Sequence, residues 1–194
     1  MNYIPQNPTN FNQILVYNKH NILILGAKLV ERKRKFLVLF ISAFLVLSLY
    51  YKNKSINVSN SDKLVIEDYL NNNILKPQFG GKVISAFEIL GSNKDNGEIF
   101  LWALLTEYYM DGNNLEMGTG RSGPIVLNVE LIDDHIKIKG YVQPRDGSYY
   151  SKDIEKMFPL LTHNKIYNYS SKHIDKLIRI LDMKKEELLN KKFT

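Results

Sequence analysis

The strongest hydrophobic feature of the chain is an uncharged run that follows four consecutive cations. Residues 32–35 are all Arg or Lys, and they precede the 16 uncharged residues from Phe36 to Tyr51. A membrane-spanning helix needs about 20 mostly apolar residues, with a lower limit near 17, because the hydrocarbon core of a bilayer is about 30 Å thick, and this run falls slightly short of that limit. Tyrosines at the end of the run suit the membrane interface, and flanking lysines extend out of the apolar layer. We therefore predict a signal anchor, a transmembrane helix over residues 31–52.

Two other interpretations of this run stay open. The first is a cleaved signal peptide, with the rest of the chain secreted; it requires small residues at the cleavage site. Tyr50, Tyr51 and Lys52 follow Leu49 and provide no such site. The second is a buried helix of a soluble protein, which would normally show a polar face, and this run shows none.

Charge predicts the orientation of the anchor. Five cations within residues 28–35 precede the run, against a single acid, whereas two lysines follow it closely. Basic residues beside a span stay in the cytoplasm. We expect a single-pass membrane protein with residues 1–30 as a cytoplasmic tail, or as an extension upstream of the true start. Residues 53–61 then form a linker, and the remainder lies outside the cytoplasm.

Hydrophobic spacing beyond the linker predicts one helix followed by strands. Val65, Ile66, Tyr69 and Leu70 recur at helical spacing, which predicts a helix over 62–74 with Ser61 or Asp62 as its cap. Alternation and turn residues predict strands over 82–90, 98–110, 125–132 and 135–142. Both faces of 98–110 are apolar in its first half, so we place it centrally in the sheet. A short return strand, 115–117, precedes a flexible glycine-rich connection, 118–124.

The remaining pattern predicts a loop over 143–150, a short helix over 152–157 and an amphipathic helix from about 170 to 191. This order indicates an α+β fold, in which helices cover one face of a curled antiparallel sheet of about four strands. Cystatin-like and NTF2-like folds are analogous in shape, without implying function. We assign 62–160 to this domain and 161–194 to a C-terminal amphipathic helix, which either docks on the domain or lies on an anionic membrane.

Charge and cysteine content exclude several functional classes. The net charge of +6 divides into +7 over residues 1–54 and −1 over residues 55–194. The basic balance is therefore a signal of topology, and we expect no nucleic-acid partner. The chain has no cysteine, which excludes disulfides, thiolate metal sites and a cysteine nucleophile.

The loop after the last strand is the strongest candidate for a binding site. Arg145, Asp146, Tyr149 and Tyr150 lie close together there, and loops on a rigid frame often carry binding groups. Arg121, within the glycine-rich segment, is a second candidate, for binding an anion. In the competing interpretation Arg145 pairs with Asp146, Asp146 begins an ordinary turn, and the tyrosines fill the core.

A small enzyme is the alternative function. An inward-facing carboxylate on a strand, from Glu88, Glu107 or Glu130, would act as a general acid or base if burial raised its pKa. Arg145 and Asp146 would complete that site in the mouth of the sheet.

Other residue patterns give weaker signals. None of the four histidines has metal-ligand spacing, so we expect no metal and no cofactor. Ser122 lacks the glycine pattern of a nucleophile elbow. Trp102, Tyr108 and Tyr109 line either a pocket or the core.

Several short segments resemble a group of small membrane-anchored or exported domains of Gram-positive bacteria. They are the residues 120–124 (GRSGP), 141–150 (YVQPRDGSYY), 153–154 (DI) and 157–159 (MFP). The resemblance covers residues 62–160, and the group has no assigned activity. It therefore implies a location and a compact domain, but no reaction. We expect a membrane-anchored extracytoplasmic module that binds a ligand or partner protein without catalysis.

Overall fold

The structure is a computed structural model that describes residues 30–50 and 54–190. Residues 1–29, 51–53 and 191–194 lie outside the described residues, so the predicted cytoplasmic tail is not among them. The chain divides into two compact units, Met1–Asn53 and Lys54–Thr194. In the first unit, residues 30–50 form one helix, α1, in which every side chain is exposed. Within the described ranges, no helix combines the length and apolar content needed to cross a membrane.

The second unit is an α+β domain with a four-stranded antiparallel sheet, as the sequence predicted. The strands follow one another in the sheet in the order β1-β2-β3-β4. Its elements, in chain order, are α2 (Asn60–Asn73), β1 (Lys82–Asn93), β2 (Glu98–Asp111), β3 (Asn114–Ile132), β4 (His135–Val142), a 3-10 turn (Gly147–Tyr149), α3 (Tyr150–Met157), α4 (Leu160–Tyr167) and α5 (Ser171–Asn190).

Helix α2 begins two residues earlier than predicted because its cap is Ser59. The Ser59 hydroxyl accepts a hydrogen bond from the backbone N–H of Asp62, and the Asp62 carboxylate accepts one from the Ser59 N–H. This reciprocal pair is a capping box, which satisfies two N–H groups at the helix start. Asp62 also accepts the backbone N–H of Ile136 at 3.1 Å and so ties α2 to β4.

Helices cover both faces of the sheet, so the expected cover on one face is wrong. On one face, Ile66 and Leu70 of α2 pack against alternate residues of the strands, including Leu101 and Leu127. On the other face, α3, α4 and α5 cover the intervening positions, with Ile154, Phe158, Ile166, Leu177 and Leu181 in the core. Each fully buried aliphatic side chain contributes about 1.5–3 kcal/mol to folding.

Three further points distinguish the structure from the sequence pattern. The segment 118–124 is not a connection but the middle of β3, a single strand of 19 residues. Helix α4 was not predicted at all. Helix α5 packs against β1 and β2 within the same compact unit, which is the first of the two alternatives given for the C-terminal helix, docking on the domain.

Candidate functional site

The predicted loop is held onto α3 by one ion pair. Arg145 donates from Nε and Nη2 to the two oxygens of the Asp153 carboxylate, both at 2.8 Å, and its backbone N–H donates at 2.9 Å. The guanidinium also lies 4.2 Å from the centre of the Tyr149 ring. The Arg145 hydrogen bonds hold the pKa of Asp153 well below its ordinary value. Asp153, and not Asp146, is therefore the partner of Arg145.

The other predicted site residues have different surroundings. Tyr149 is exposed, whereas Tyr150 is half-buried against the core of α3 and α4. Asp146 precedes the 3-10 turn and makes no side-chain capping bond. Arg121 lies on a different element, in β3 opposite Leu105. A binding role for the five residues stays a prediction.

Glu107 organises the turn between α2 and β1. Its buried carboxylate accepts the backbone N–H groups of Gln78, Phe79 and Gly81 at 2.8–3.0 Å, and that of Thr119 at 3.3 Å. Burial alone would raise the pKa of Glu107, but the four donors outweigh it and lower the pKa to about 2. The carboxylate therefore stays ionised at neutral pH and holds the turn in place.

Two glycines allow this turn to lie against β2. Gly80 has φ +71, which favours glycine. A Cβ on Gly81 would stand 2.3 Å from the carbonyl oxygen of Tyr108, closer than any real contact. The turn therefore packs directly on the β2 backbone, and Phe79 stacks on the ring of Tyr109 with centroids 4.8 Å apart.

A cavity of about 390 Å³ opens beside this turn. Its walls are mostly aromatic and aliphatic and come from the turn, the β2–β3 hairpin and the end of α5. They include Phe79, Tyr108, Tyr109, Leu115 and Leu188. Small-molecule sites are usually concave and lined mostly by apolar side chains, and this cavity has both properties. Of the three aromatic residues assigned to either a pocket or the core, Tyr108 and Tyr109 line this cavity, Tyr108 is also buried in the core beneath α5, and Trp102 packs against that core.

A second polar cluster surrounds Glu88 on the face covered by α4 and α5. The carboxylate accepts hydrogen bonds from Lys165 Nζ at 2.7 Å, Tyr169 Oη at 2.9 Å and His173 Nδ1 at 2.9 Å. The Tyr169 ring stacks on Trp102 with centroids 4.1 Å apart. Burial raises the pKa of Glu88, but these bonds lower it below its ordinary value. The cluster therefore joins both helices to β1 with an ionised carboxylate.

The carboxylates on the strands do not support the predicted acid–base chemistry. The hypothesis required burial to raise a pKa, yet the pKa of Glu88, Glu107 and Glu130 is lowered in each case. Glu130 is exposed and pairs with Lys139 at 2.7 Å. Among the described residues, no group of three His, Asp or Glu side chains is arranged to hold a metal ion.

Comparison with known proteins identifies no relative of this chain. No family model matches the chain, and no curated protein or solved structure is significantly similar to it. The resemblance to exported bacterial domains stays a prediction.

Proposed function

We propose that this chain is a single-pass membrane protein that displays its α+β domain outside the cytoplasm and binds a ligand or partner there without catalysis. The cavity beside the Glu107 turn carries the binding part of this proposal. The uncharged run from Phe36 to Tyr51 carries the membrane part.

The surface of α1 supports insertion into lipid. From residue 36 onward its side chains are uncharged on all sides, and its large apolar side chains are all more than half exposed. Ser42 and Ser48 donate their hydroxyl hydrogens to the carbonyls of Leu39 and Leu45, each at 2.9 Å. Both serine hydroxyls are thus satisfied within the helix, as polar groups in hydrocarbon must be. The cations at its start favour a cytoplasmic N-terminus.

The cavity supports binding of an apolar group. Its aromatic walls are supported by the Glu107 turn, which hydrogen bonds within the protein hold in place, so little conformational entropy is lost on binding. Lys82 lines the cavity and is exposed, and a cation there suits a ligand with a polar or anionic end. The predicted loop with Arg145 and Tyr149 is a separate surface, and exposed Tyr149 remains a candidate for contact with a partner.

Photo-crosslinking in membranes tests the binding proposal. A benzophenone amino acid replaces Leu115, inside the cavity, in the full-length chain. The matched control replaces Leu160, which is 81% exposed on α4. We expect a discrete adduct at position 115 that is missing at position 160, and its mass distinguishes a small ligand from a protein. Identical adducts at both positions, or none at 115, would contradict the proposal.

A further inference from the structure

Strand β3 extends far beyond its neighbour β4. β3 runs over Asn114–Ile132 and β4 only over His135–Val142. Their pairing begins at Val126, opposite Val142. In the described domain, residues 114–125 therefore have a sheet neighbour on one side only, which is β2. The other side is an open edge in the same chain segment that holds Arg121.

The hairpin geometry tells which backbone groups face this open edge. The β3–β4 turn has two residues, Asp133 and Asp134, both with positive φ, so the flanking Ile132 forms a hydrogen-bonded pair with its partner in β4. Along an antiparallel strand, residues whose N–H and C=O groups bond to the neighbour on one side alternate with residues whose N–H and C=O groups point to the opposite side. The extra residue of the β3–β4 irregularity lies in β4, so the alternation along β3 continues unbroken to Gly120.

Even-numbered residues of β3 therefore turn their N–H and C=O groups toward the β4 side. Gly120 and Ser122 are the first two even positions with an N–H group that lie beyond the end of the β4 pairing, and both are exposed. Pro124 lies between them and Val126, and proline is tolerated in a strand where its nitrogen faces an edge. The open edge thus offers the N–H groups of Gly120 and Ser122. It also offers the carbonyls of Gly120, Ser122 and Pro124, and no strand lies beside them.

The two outer strands of the sheet carry the usual protection against pairing with other chains. On β1, the Lys184 ammonium donates to the carbonyl of Ser85 at 2.6 Å and pairs with Glu67 at 2.7 Å. β4 carries Lys137 and Lys139, and lysines on an edge discourage strand addition. The open stretch of β3 is different, because residues 117–124 contain three glycines and a single cation.

That cation indicates the chemistry of the partner. Within residues 54–190, no carboxylate lies at ion-pair distance from Arg121. A second copy of this chain, paired antiparallel through Gly120 and Ser122, would bring two Arg121 side chains directly opposite or two positions apart. Like charges opposite each other destabilise a sheet, whereas a facing acid stabilises it.

We propose that the open edge of β3 around Gly120 and Ser122 receives an extended segment of another protein as a fifth strand, with an acidic side chain beside Arg121. Main-chain hydrogen bonds would supply affinity, and the acid would supply selectivity. This interaction uses neither the membrane anchor nor the cavity, so its test is separate from that of the proposed function.

Amide exchange measured by NMR on the full-length chain in detergent tests the proposal. The probe is a nine-residue peptide of alternating Thr and Val with Glu at its centre (TVTVEVTVT), and the control peptide has Lys in place of Glu. With the Glu peptide at about ten times its Kd, exchange of the Gly120 and Ser122 amides should slow about tenfold. The Lys peptide should bind about two- to fivefold more weakly.

Three variants of the chain separate this interaction from general effects on folding. Ser122→Pro removes one outward N–H and should abolish binding, whereas Ser122→Ala retains it and should bind normally. Arg121→Gln should remove the preference for the Glu peptide while leaving the fold unchanged. Unaltered exchange at both amides, or equal affinity for the two peptides, would overturn the proposal. Protection that rises with chain concentration without peptide would also overturn it, because a second copy would then occupy the edge.

Discussion

Alanine substitution of either glycine in the Glu107 turn tests whether the turn packs on the sheet as described. At Gly80 a new Cβ meets no atom within 4 Å, but the backbone has φ +71. A non-glycine residue in that conformation costs about 1 kcal/mol. At Gly81 the new Cβ would stand 2.3 Å from the Tyr108 carbonyl oxygen and 2.7 Å from its carbon, so the chain has to move.

The cost at Gly81 is larger because the movement disturbs hydrogen bonds as well as packing. Overpacking a well-packed site costs about 1–3 kcal/mol. Displacing the turn also weakens the bond from the Gly81 N–H to Glu107, now 3.0 Å long. We therefore expect Gly81→Ala to destabilise the domain by about 3 kcal/mol, or about 10 °C in Tm, and Gly80→Ala by about 1 kcal/mol.

Thermal and urea unfolding of the full-length chain, followed by the fluorescence of its only tryptophan, measures both variants under the same conditions. The difference between the two positions is the informative quantity, because they are neighbours and receive the same methyl group. Gly81→Ala should also reduce crosslinking at Leu115, since Phe79 is displaced from the cavity wall. Equal Tm values for the two variants would refute the close packing of this turn on β2.

Three further predictions concern the helices and the loop. Leu177→Ala, at a fully buried position of α5, should cost about 2–5 kcal/mol, whereas Ile178→Ala, at an exposed neighbour, should cost about 0.5 kcal/mol or less in urea unfolding. Because the pKa of Glu88 is lowered on folding, its contribution to stability is complete above its ordinary pKa and is lost as pH falls below it; Glu88→Gln should flatten the stability profile over this acid range. Arg145→Ala should lower Tm by several degrees because it leaves the Asp153 carboxylate buried without its partner, and adding Asp153→Asn should recover part of the loss.

The hairpins were predictable because their signals are local. Strand β4 shows alternation, β2 is a long apolar run, and short turns with glycine or aspartate follow β2 and β3 directly. Gly112, Asp133 and Asp134 all adopt the positive φ that such turns require. The strand character of residues 118–124 in β3 was missed because the glycines there have no side chains to alternate. Backbone pairing of Arg121 and Gly123 with β2 decides that segment.

The positions of the helices on the two faces of the sheet were harder to predict, because they depend on contacts between residues far apart in the sequence. The apolar residues on both faces of β2 already implied cover on both sides, but the pattern did not tell which helix lies where. Helix α4 shows little amphipathic spacing, since Leu160 and Leu161 at its start are about 80% exposed. Because these apolar residues face solvent, the segment lacks the apolar stripe at helical spacing that indicates a helix.

The candidate sites depend on pairs that no local pattern reveals. Arg145 and Asp153 are only eight positions apart, so this ion pair can be considered from the sequence. The interpretation that pairs Arg145 with Asp146 selects the nearer acid instead. Glu88 contacts residues 77–85 positions away, and Glu107 contacts Gln78 across 29 positions. The one available signal was a glutamate within an otherwise apolar strand, which indicates a buried charge with a fixed partner.

Thiol labelling in intact cells is the most direct test of the central claim, and the absence of cysteine from the chain makes it specific. One variant, Asn113→Cys, places a thiol at the exposed β2–β3 turn, and the other, Asn10→Cys, places one before the anchor. A maleimide that does not cross membranes should label Asn113→Cys in intact cells and Asn10→Cys only after the cells are opened. Labelling of Asn113→Cys only in opened cells, or recovery of the full-length chain in the soluble fraction, would contradict the account.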